Sequence, residues 1–196
     1  MKNQKWMTIQ RICLWSGIGL LAAAGILLFA WQQGIHISEQ RAEDYVHTLR
    51  TLIPEPQGAV PEPRTDNTMP VFPIEGTDFI GILEMPLHGS ELPVCAEWGK
   101  SFRYPCCFSG SVYDRSIQIG GTSQKGQYDF YREISVGDEV FFTDMTGNRY
   151  AYTVKNIRYR KRADQAALKS EEAALTLFIK NVNAFEYILI FCDVSG

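Results

Sequence analysis

The first pattern along this chain is a long, uninterrupted apolar run near its N-terminus. No residue from Ile12 to Trp31 is charged, and almost all of them are apolar. About 20 such residues, at a rise of about 1.5 Å each, cross a hydrocarbon core of about 30 Å. We therefore predict a transmembrane anchor at 12–33, preceded by a cytoplasmic tail at 1–11.

The orientation of this segment follows from its charged flank. Its N-terminal side holds the basic residues Lys2, Lys5 and Arg11, whereas its far side opens with uncharged glutamines. Positive flanks stay in the cytoplasm, so we predict a single span of the cell membrane with the C-terminal bulk on the extracytoplasmic face. A cleavable signal peptide is the alternative because residues 22–25 are small, but the apolar run is longer than a typical signal core.

The next stretch, residues 34–77, has mixed polarity. Apolar residues recur at helical spacing between Ile37 and Leu52 with charges between them, which predicts a short amphipathic helix. We interpret this helix as a stalk, and its packing on the following domain or on another chain is the alternative. The prolines between Pro54 and Pro73 then predict an extended spacer.

From Asp78 onward the pattern becomes β. Short runs of β-forming residues separated by turn residues predict strands at 79–83, 92–95, 116–120, 139–143, 149–157, 175–180 and 187–192. A hairpin turn at 145–148 and a brief helix at 162–172 complete the pattern. The predicted fold class is mainly β: a closed or nearly closed β-barrel over 78–196 with one or two short helices, plus the N-terminal transmembrane helix.

Several short segments of 78–196 carry a resemblance to a known family. They are Phe79-Ile80-Gly81-Ile82-Leu83, Leu92-Pro93-Val94, Ser109-Gly110-Ser111-Val112-Tyr113, Ile119-Gly120-Gly121-Thr122, Gly137-Asp138-Glu139-Val140, Leu175-Thr176-Leu177-Phe178-Ile179-Lys180 and Tyr187-Ile188-Leu189-Ile190-Phe191-Cys192. In this order they resemble strands and turns of sortases, the transpeptidases that anchor surface proteins to Gram-positive cell walls. The resemblance implies a sortase-like β-barrel over 78–196.

Three positions decide what the resemblance implies for chemistry. In sortases a cysteine thiolate attacks the peptide carbonyl, a histidine acts as acid and base, and an arginine stabilises developing negative charge. At the matching positions this chain has Lys180 for the cysteine, Thr122 for the histidine and Tyr187 for the arginine. The resemblance therefore implies a non-catalytic protein that binds a sorting-signal-type peptide, a pilin or an active sortase in surface-protein or pilus assembly.

Two other functions stay open. A divergent transpeptidase or peptidase could use Thr122 and Lys180 as a hydroxyl–lysine dyad, which requires a lysine buried enough for its pKa to fall toward neutrality. Such an enzyme could also use one of the remaining cysteines, although no histidine stands at a matching place. Alternatively, the barrel could be a purely structural component of the cell envelope.

The net charge and its distribution along the chain indicate which kinds of ligand it could bind. The net charge of −3 argues against a nucleic-acid partner. Within this mildly acidic chain, a basic cluster could contact an anionic wall polymer or an acidic peptide, and a solvated loop is the alternative. The cluster includes Arg158, Arg160 and Arg162.

The cysteines and histidines indicate neither a metal site nor a cofactor, because their spacing matches no zinc motif. Four cysteines would be exported, namely Cys95, Cys106, Cys107 and Cys192. An oxidising exterior permits disulfides, but their connectivity does not follow from sequence, and adjacent Cys106 and Cys107 are poor partners for each other.

Overall fold

The computed structural model describes residues 2–54, 67–99, 103–161, 173–184 and 186–195, with side chains at 15–29 and from 40 onward. The chain divides into two compact units, residues 1–38 and 39–196. One helix, α1 (Lys2–Leu52), forms the described part of the first unit and continues into the second.

The described apolar side chains of the first unit are exposed. The large ones are Trp15, Ile18, Leu20, Leu21, Ile26, Leu27, Leu28 and Phe29. Within the described residues, no helix combines the length and the apolarity that crossing a membrane requires. The structure therefore does not support the transmembrane helix expected at 12–33, which stays a prediction from the sequence.

The second unit is built on strands whose positions the alternating pattern largely anticipates. Within the described residues the strands are β1 (Phe72–Ile74), β2 (Thr77–Met85), β3 (Ser90–Cys95), β4 (Cys106–Ser109), β5 (Ile117–Thr122), β6 (Glu139–Asp144), β7 (Arg149–Arg160), β8 (Leu175–Asn181) and β9 (Glu186–Val194). A 3-10 turn, Pro86–His88, connects β2 to β3. Each predicted strand overlaps one of these, whereas β1 and β4 were not predicted.

These strands close into a barrel. They pair in the order β1-β2-β3-β4-β5-β8-β9-β7-β6, and β6 also pairs with β2. The strands β2 to β9 thus form an eight-stranded barrel, and β1 extends one edge of β2. Among the described strands, β3–β4 and β5–β8 pair in parallel and the other junctions are antiparallel. The predicted mainly β barrel is confirmed.

Alternation along the strands gives the barrel wall two different faces. On β8, Leu175, Leu177 and Ile179 are fully buried in the main core inside the barrel. Phe178, which lies between Leu177 and Ile179, belongs to a separate outer cluster with Leu189 of β9. Successive strand residues point to opposite faces, so each strand contributes one set of side chains inside and another outside.

The end of α1 covers another part of the outer face. Ala42, Val46 and Leu49 lie on one side of the helix and pack on side chains from β2 and from the β3–β4 region, namely Phe79, Ile82, Cys95, Tyr104 and Cys106. Arg50 forms an ion pair of 2.8 Å with Glu91 of β3. For these residues the stalk interpretation is wrong, and the alternative of packing on the domain is correct.

Two predicted features lie outside the described residues. They are residues 55–66 of the proline-rich spacer and the brief helix at 162–172, which includes Arg162. The end of the predicted spacer is described, and it contains β1, paired antiparallel with β2.

We expect the packing of α1 on the barrel to contribute strongly to stability. Leu49 is fully buried, so Leu49→Ala should lower the free energy of unfolding by about 2–4 kcal/mol through lost burial and a residual cavity. Leu52, in the same helix but 45% exposed, is the matched control, and Leu52→Ala should change stability by less than about 0.5 kcal/mol. Urea denaturation measures both, and equal losses would contradict the packing.

Candidate functional site

Strand pairing brings the three residues singled out in the sequence side by side. The parallel register of β5 and β8 sets Thr122 opposite Lys180, and the antiparallel register of β8 and β9 sets Lys180 opposite Tyr187. On β7, Arg160 lies opposite Tyr187 and extends the same line. We call these four residues, Thr122, Lys180, Tyr187 and Arg160, the candidate row.

The candidate row lies on the outer face of the barrel. Lys180 follows the inward-facing Ile179, and Tyr187 precedes the inward-facing Ile188. The Lys180 side chain is exposed, and that of Tyr187 is half-buried. A ligand approaching the barrel wall from outside could therefore contact both side chains without opening the core.

A second row lies next to the first, toward the middle of the strands. It is formed by Gly120, Phe178, Leu189 and Arg158, which are register partners on β5, β8, β9 and β7. Phe178 and Leu189 are almost completely buried although they are on the outer face. The candidate row is thus bordered by an apolar strip.

Two further aromatic rings, those of Trp98 and Phe108, pack on Phe178 of this second row. The ring centroid of Phe178 lies 5.0 Å from that of Trp98 and 5.2 Å from that of Phe108. Gly120 makes room for this aromatic cluster (Trp98, Phe108 and Phe178), because a Cβ there would lie 2.1 Å from Phe178 and 2.5 Å from Trp98. Trp98 stays 42% exposed, so part of its ring is available to a ligand.

Thr122 is held by its backbone at the end of β5. Its N–H donates to Gln127 Oε1 at 2.8 Å, and its carbonyl accepts from the Tyr128 N–H at 3.2 Å. The Thr122 hydroxyl is buried and has no hydrogen-bond partner among the described residues. A buried polar group without a partner costs about 1–3 kcal/mol, so this hydroxyl has hydrogen-bonding capacity beside Lys180 that the described fold does not use.

The pairing of Thr122 with Lys180 has the wrong burial for a hydroxyl–lysine dyad. A lysine becomes a general base when burial disfavours its charged form, and its hydroxyl partner must be open to the substrate. Here Lys180 is exposed, whereas the Thr122 hydroxyl is buried. The burial of these two groups is thus the reverse of what such a dyad requires.

The four cysteines with described side chains are buried or half-buried. Burial raises the pKa of the Cys192 thiol to about 12 and that of the Cys107 thiol to about 11. Reactive cysteines have lowered pKa values, so both thiols stay protonated near neutral pH. Cys95 and Cys106 are buried beneath the end of α1. None of the four belongs to the candidate row.

Of the three arginines in the predicted basic cluster, Arg158 and Arg160 lie on β7 beside the other residues of the site. Arg160 is exposed in the candidate row, and Arg158 lies in the second row with its guanidinium carbon 5.8 Å from the Phe191 ring centroid. Arg162 lies outside the described residues. With Lys180, the two arginines place three cations on one outer face of a chain whose net charge is −3, which favours an anionic ligand there.

A separate cleft of about 690 Å³ was not predicted from the sequence. It lies among the end of α1, the start of β3 and residues 126–133. His88 lines it, with Nε2 at 3.1 Å from Asp138 Oδ2 and its ring stacked on Phe130. No cysteine lines this cleft, and no group of acidic, histidine or cysteine residues among the described positions is arranged to hold a metal ion.

The aromatic cluster is the part of the site that sequence reasoning missed. Trp98 and Phe108 are far from Phe178 in sequence and follow no shared period. One usable signal was the Gly120-Gly121 pair inside a predicted strand, since glycine in a strand often marks a close approach by another group.

The described geometry is similar to that of solved sortases. Sortase A from Corynebacterium diphtheriae aligns with 61% of this chain at 15% identity and a TM-score of 0.53. Sortase C1 from Streptococcus agalactiae aligns with 63% at 18% identity and a TM-score of 0.51. Sortase C from Clostridium perfringens SM101 aligns with 84% at 13% identity, also with a TM-score of 0.51. The chain therefore has the sortase fold.

At 13–18% identity, these alignments show a shared fold and nothing finer. The chain spans 62% of the length of the Corynebacterium sortase A, 71% of the Streptococcus sortase C1 and 90% of the Clostridium sortase C. No protein-family model and no curated protein matches the chain.

We expect Gly120 to be required for the aromatic cluster. Gly120→Ala should destabilise the fold by about 1–3 kcal/mol, because its methyl group would overlap the Phe178 ring. In a Phe178→Ala background the same change should cost less than about 0.5 kcal/mol, since half-exposed Trp98 can move aside. Urea denaturation of the double-mutant cycle measures the coupling, and additive effects would contradict the predicted overlap.

Proposed function

We propose that this chain is a non-catalytic, sortase-fold binding protein that holds an extended peptide of the sorting-signal type across the candidate row. The observation that carries this proposal is the composition of the row. Register alignment places Thr122, Lys180, Tyr187 and Arg160 side by side on an outer face. None of these side chains supplies a thiolate nucleophile or an imidazole acid and base.

The dimensions of the row suit a short peptide. Four neighbouring strands at about 4.8 Å spacing span about 14 Å, the length of about four extended residues. Tyr187 offers a ring and a phenol, and the two cations at Lys180 and Arg160 offer charge-assisted hydrogen bonds to carboxylates or carbonyls. The exposed part of Trp98 adds an apolar contact beside the row.

Burial supports binding over turnover. Of the two thiols whose pKa is raised, that of Cys192 is buried and that of Cys107 is half-buried, whereas Lys180 of the candidate row is exposed. The peptide would come from a surface protein or a pilin during its assembly at the cell envelope. An active sortase is the second possible source of a bound segment.

We further propose attachment to the membrane through residues 12–33, with the barrel on the extracytoplasmic face. Basic residues precede the apolar segment, and its described large apolar side chains are exposed in the first unit. An apolar surface of this kind requires an apolar environment, which a bilayer supplies.

Binding and turnover are separated by one experiment on the full chain in detergent. Fluorescence anisotropy follows a labelled sorting-signal peptide, and mass spectrometry follows the same peptide with an added glycine nucleophile. We expect binding without a cleaved or transferred product. Turnover that disappears in Lys180→Ala would overturn the proposal in favour of an enzyme, and neither binding nor turnover would favour a purely structural role.

The location of binding is tested by a matched pair of tyrosines in the same assay. Tyr187→Ala should raise the Kd about tenfold, which corresponds to about 1.4 kcal/mol. Tyr159 is the control because it is 58% exposed on the neighbouring β7 but lies opposite inward-facing Ile188. Tyr159→Ala should change the Kd by less than about twofold. Equal losses would place the peptide elsewhere.

Membrane attachment is tested by fractionation of cells that express the full chain. We expect the protein in the carbonate-resistant membrane fraction, with the barrel accessible to external protease. Replacing Leu21 and Leu27 by arginine should move it to the soluble fraction, because each buried charge costs about 2.5–3.5 kcal/mol on insertion. Leu87→Arg, at a 71% exposed barrel position, is the control. A soluble wild-type chain would contradict attachment.

A further inference from the structure

Two cysteines are brought together where the barrel wall is most weakly paired. The parallel strands β3 and β4 share a single register position, which sets Cys95 opposite Cys106. By contrast, β5 and β8 are in register along all of β5. The Cys95 N–H also donates to the Pro105 carbonyl at 2.8 Å, which holds the two segments beside each other.

The side chains of this pair point to the same side. Cys95 and Cys106 both belong to the outer cluster beneath the end of α1, and they are 2% and 0% exposed. Neighbouring strands are about 4.8 Å apart, and disulfides span Cα–Cα distances of about 4.4–6.8 Å. The pair therefore meets the backbone requirement for a disulfide.

Cys107 and Cys192 are not placed to form a disulfide with Cys95 or Cys106. Cys107 follows Cys106 directly and packs against the main core on the opposite side of the strand. Its sulfur is 3.7 Å from the Ser109 carbonyl oxygen. Cys192 lies inside the barrel, in register with Leu175 of β8 and Val154 of β7. Each is thus separated from the cluster that Cys95 and Cys106 share.

We propose that Cys95 and Cys106 form a disulfide that braces the β3–β4 junction. The structure holds both as thiols. Bond formation requires the Cys106 sulfur to turn away from the Tyr104 carbonyl, from which it is 3.3 Å distant. A thiol is a weak hydrogen-bond donor, so this contact opposes the rotation only slightly.

The oxidant is a small-molecule disulfide such as oxidised glutathione. One cysteine thiolate attacks it, which forms a mixed disulfide and releases one glutathione thiolate. The second cysteine thiolate then attacks the mixed disulfide, so that the Cys95–Cys106 bond forms and the second glutathione leaves. The two cysteines lose two electrons and two protons, and two glutathione thiols gain them.

The disulfide would also restrain part of the candidate site. It closes the segment between β3 and β4, and that segment carries Trp98 of the aromatic cluster. Because the end of α1 covers both sulfurs, the bond forms before this helix packs, and reduction of the folded protein is slow.

Peptide mapping of the full chain tests the proposal. The protein is refolded in detergent with a mixture of oxidised and reduced glutathione, alkylated in denaturant and digested with trypsin without reduction. Cleavage after Arg64, Lys100, Arg103 and Arg115 separates residue 95 from residues 106 and 107. We expect peptide 65–100 joined to peptide 104–115 in more than about nine molecules in ten, with Cys192 alkylated.

Single variants assign the bond. Cys107→Ser and Cys192→Ser should keep the linked peptides, whereas Cys106→Ser should lose them. Oxidation should raise the Tm of the wild-type chain by about 5–10 °C and leave that of Cys95→Ser unchanged. The absence of linked peptides, or a bond from Cys95 to Cys107 or Cys192, would overturn the disulfide. An unchanged wild-type Tm would overturn its bracing role.

Discussion

The parallel pairing of β5 with β8 is the constraint on which the candidate site depends. Ile117 and Ile119 on one strand, and Leu175 and Leu177 on the other, are fully buried inside the barrel. A shift of one residue would turn these side chains outward and bring polar ones into the core, so the apolar interior fixes the register. That register alone sets Thr122 opposite Lys180, and β9 and β7 then extend the line.

The same burial that stabilises the barrel also shapes its chemistry. Inside, the Cys192 thiol is kept neutral by a pKa raised to about 12, so it contributes apolar packing and not reactivity. Outside, the Lys180 side chain is exposed to water. The face therefore combines basic side chains, an aromatic cluster and a Thr122 hydroxyl that has no hydrogen-bond partner among the described residues.

The sequence predicted the structure correctly where a local pattern of residues corresponds to a local element. The alternation in 175–180 and 187–192 identified β8 and β9, and the motifs along 78–196 identified the sortase fold. It failed for β1 and β4, which are short and form no clear alternation. It also recognised the amphipathic helix before Leu52 but not its partner, because periodicity shows that one side is apolar and does not show what covers it.

The sequence by itself determined seven of the nine described strands and the barrel class. Side chains alternate along a strand with a fixed period, so the sequence also showed which residues of one strand share a face. Only the tertiary structure decided what surrounds them. The aromatic cluster around Phe178, the exposure of Lys180 and the meeting of Cys95 with Cys106 all arise between segments distant in the chain. Such contacts depend on how the strands close into a barrel, which no local pattern records.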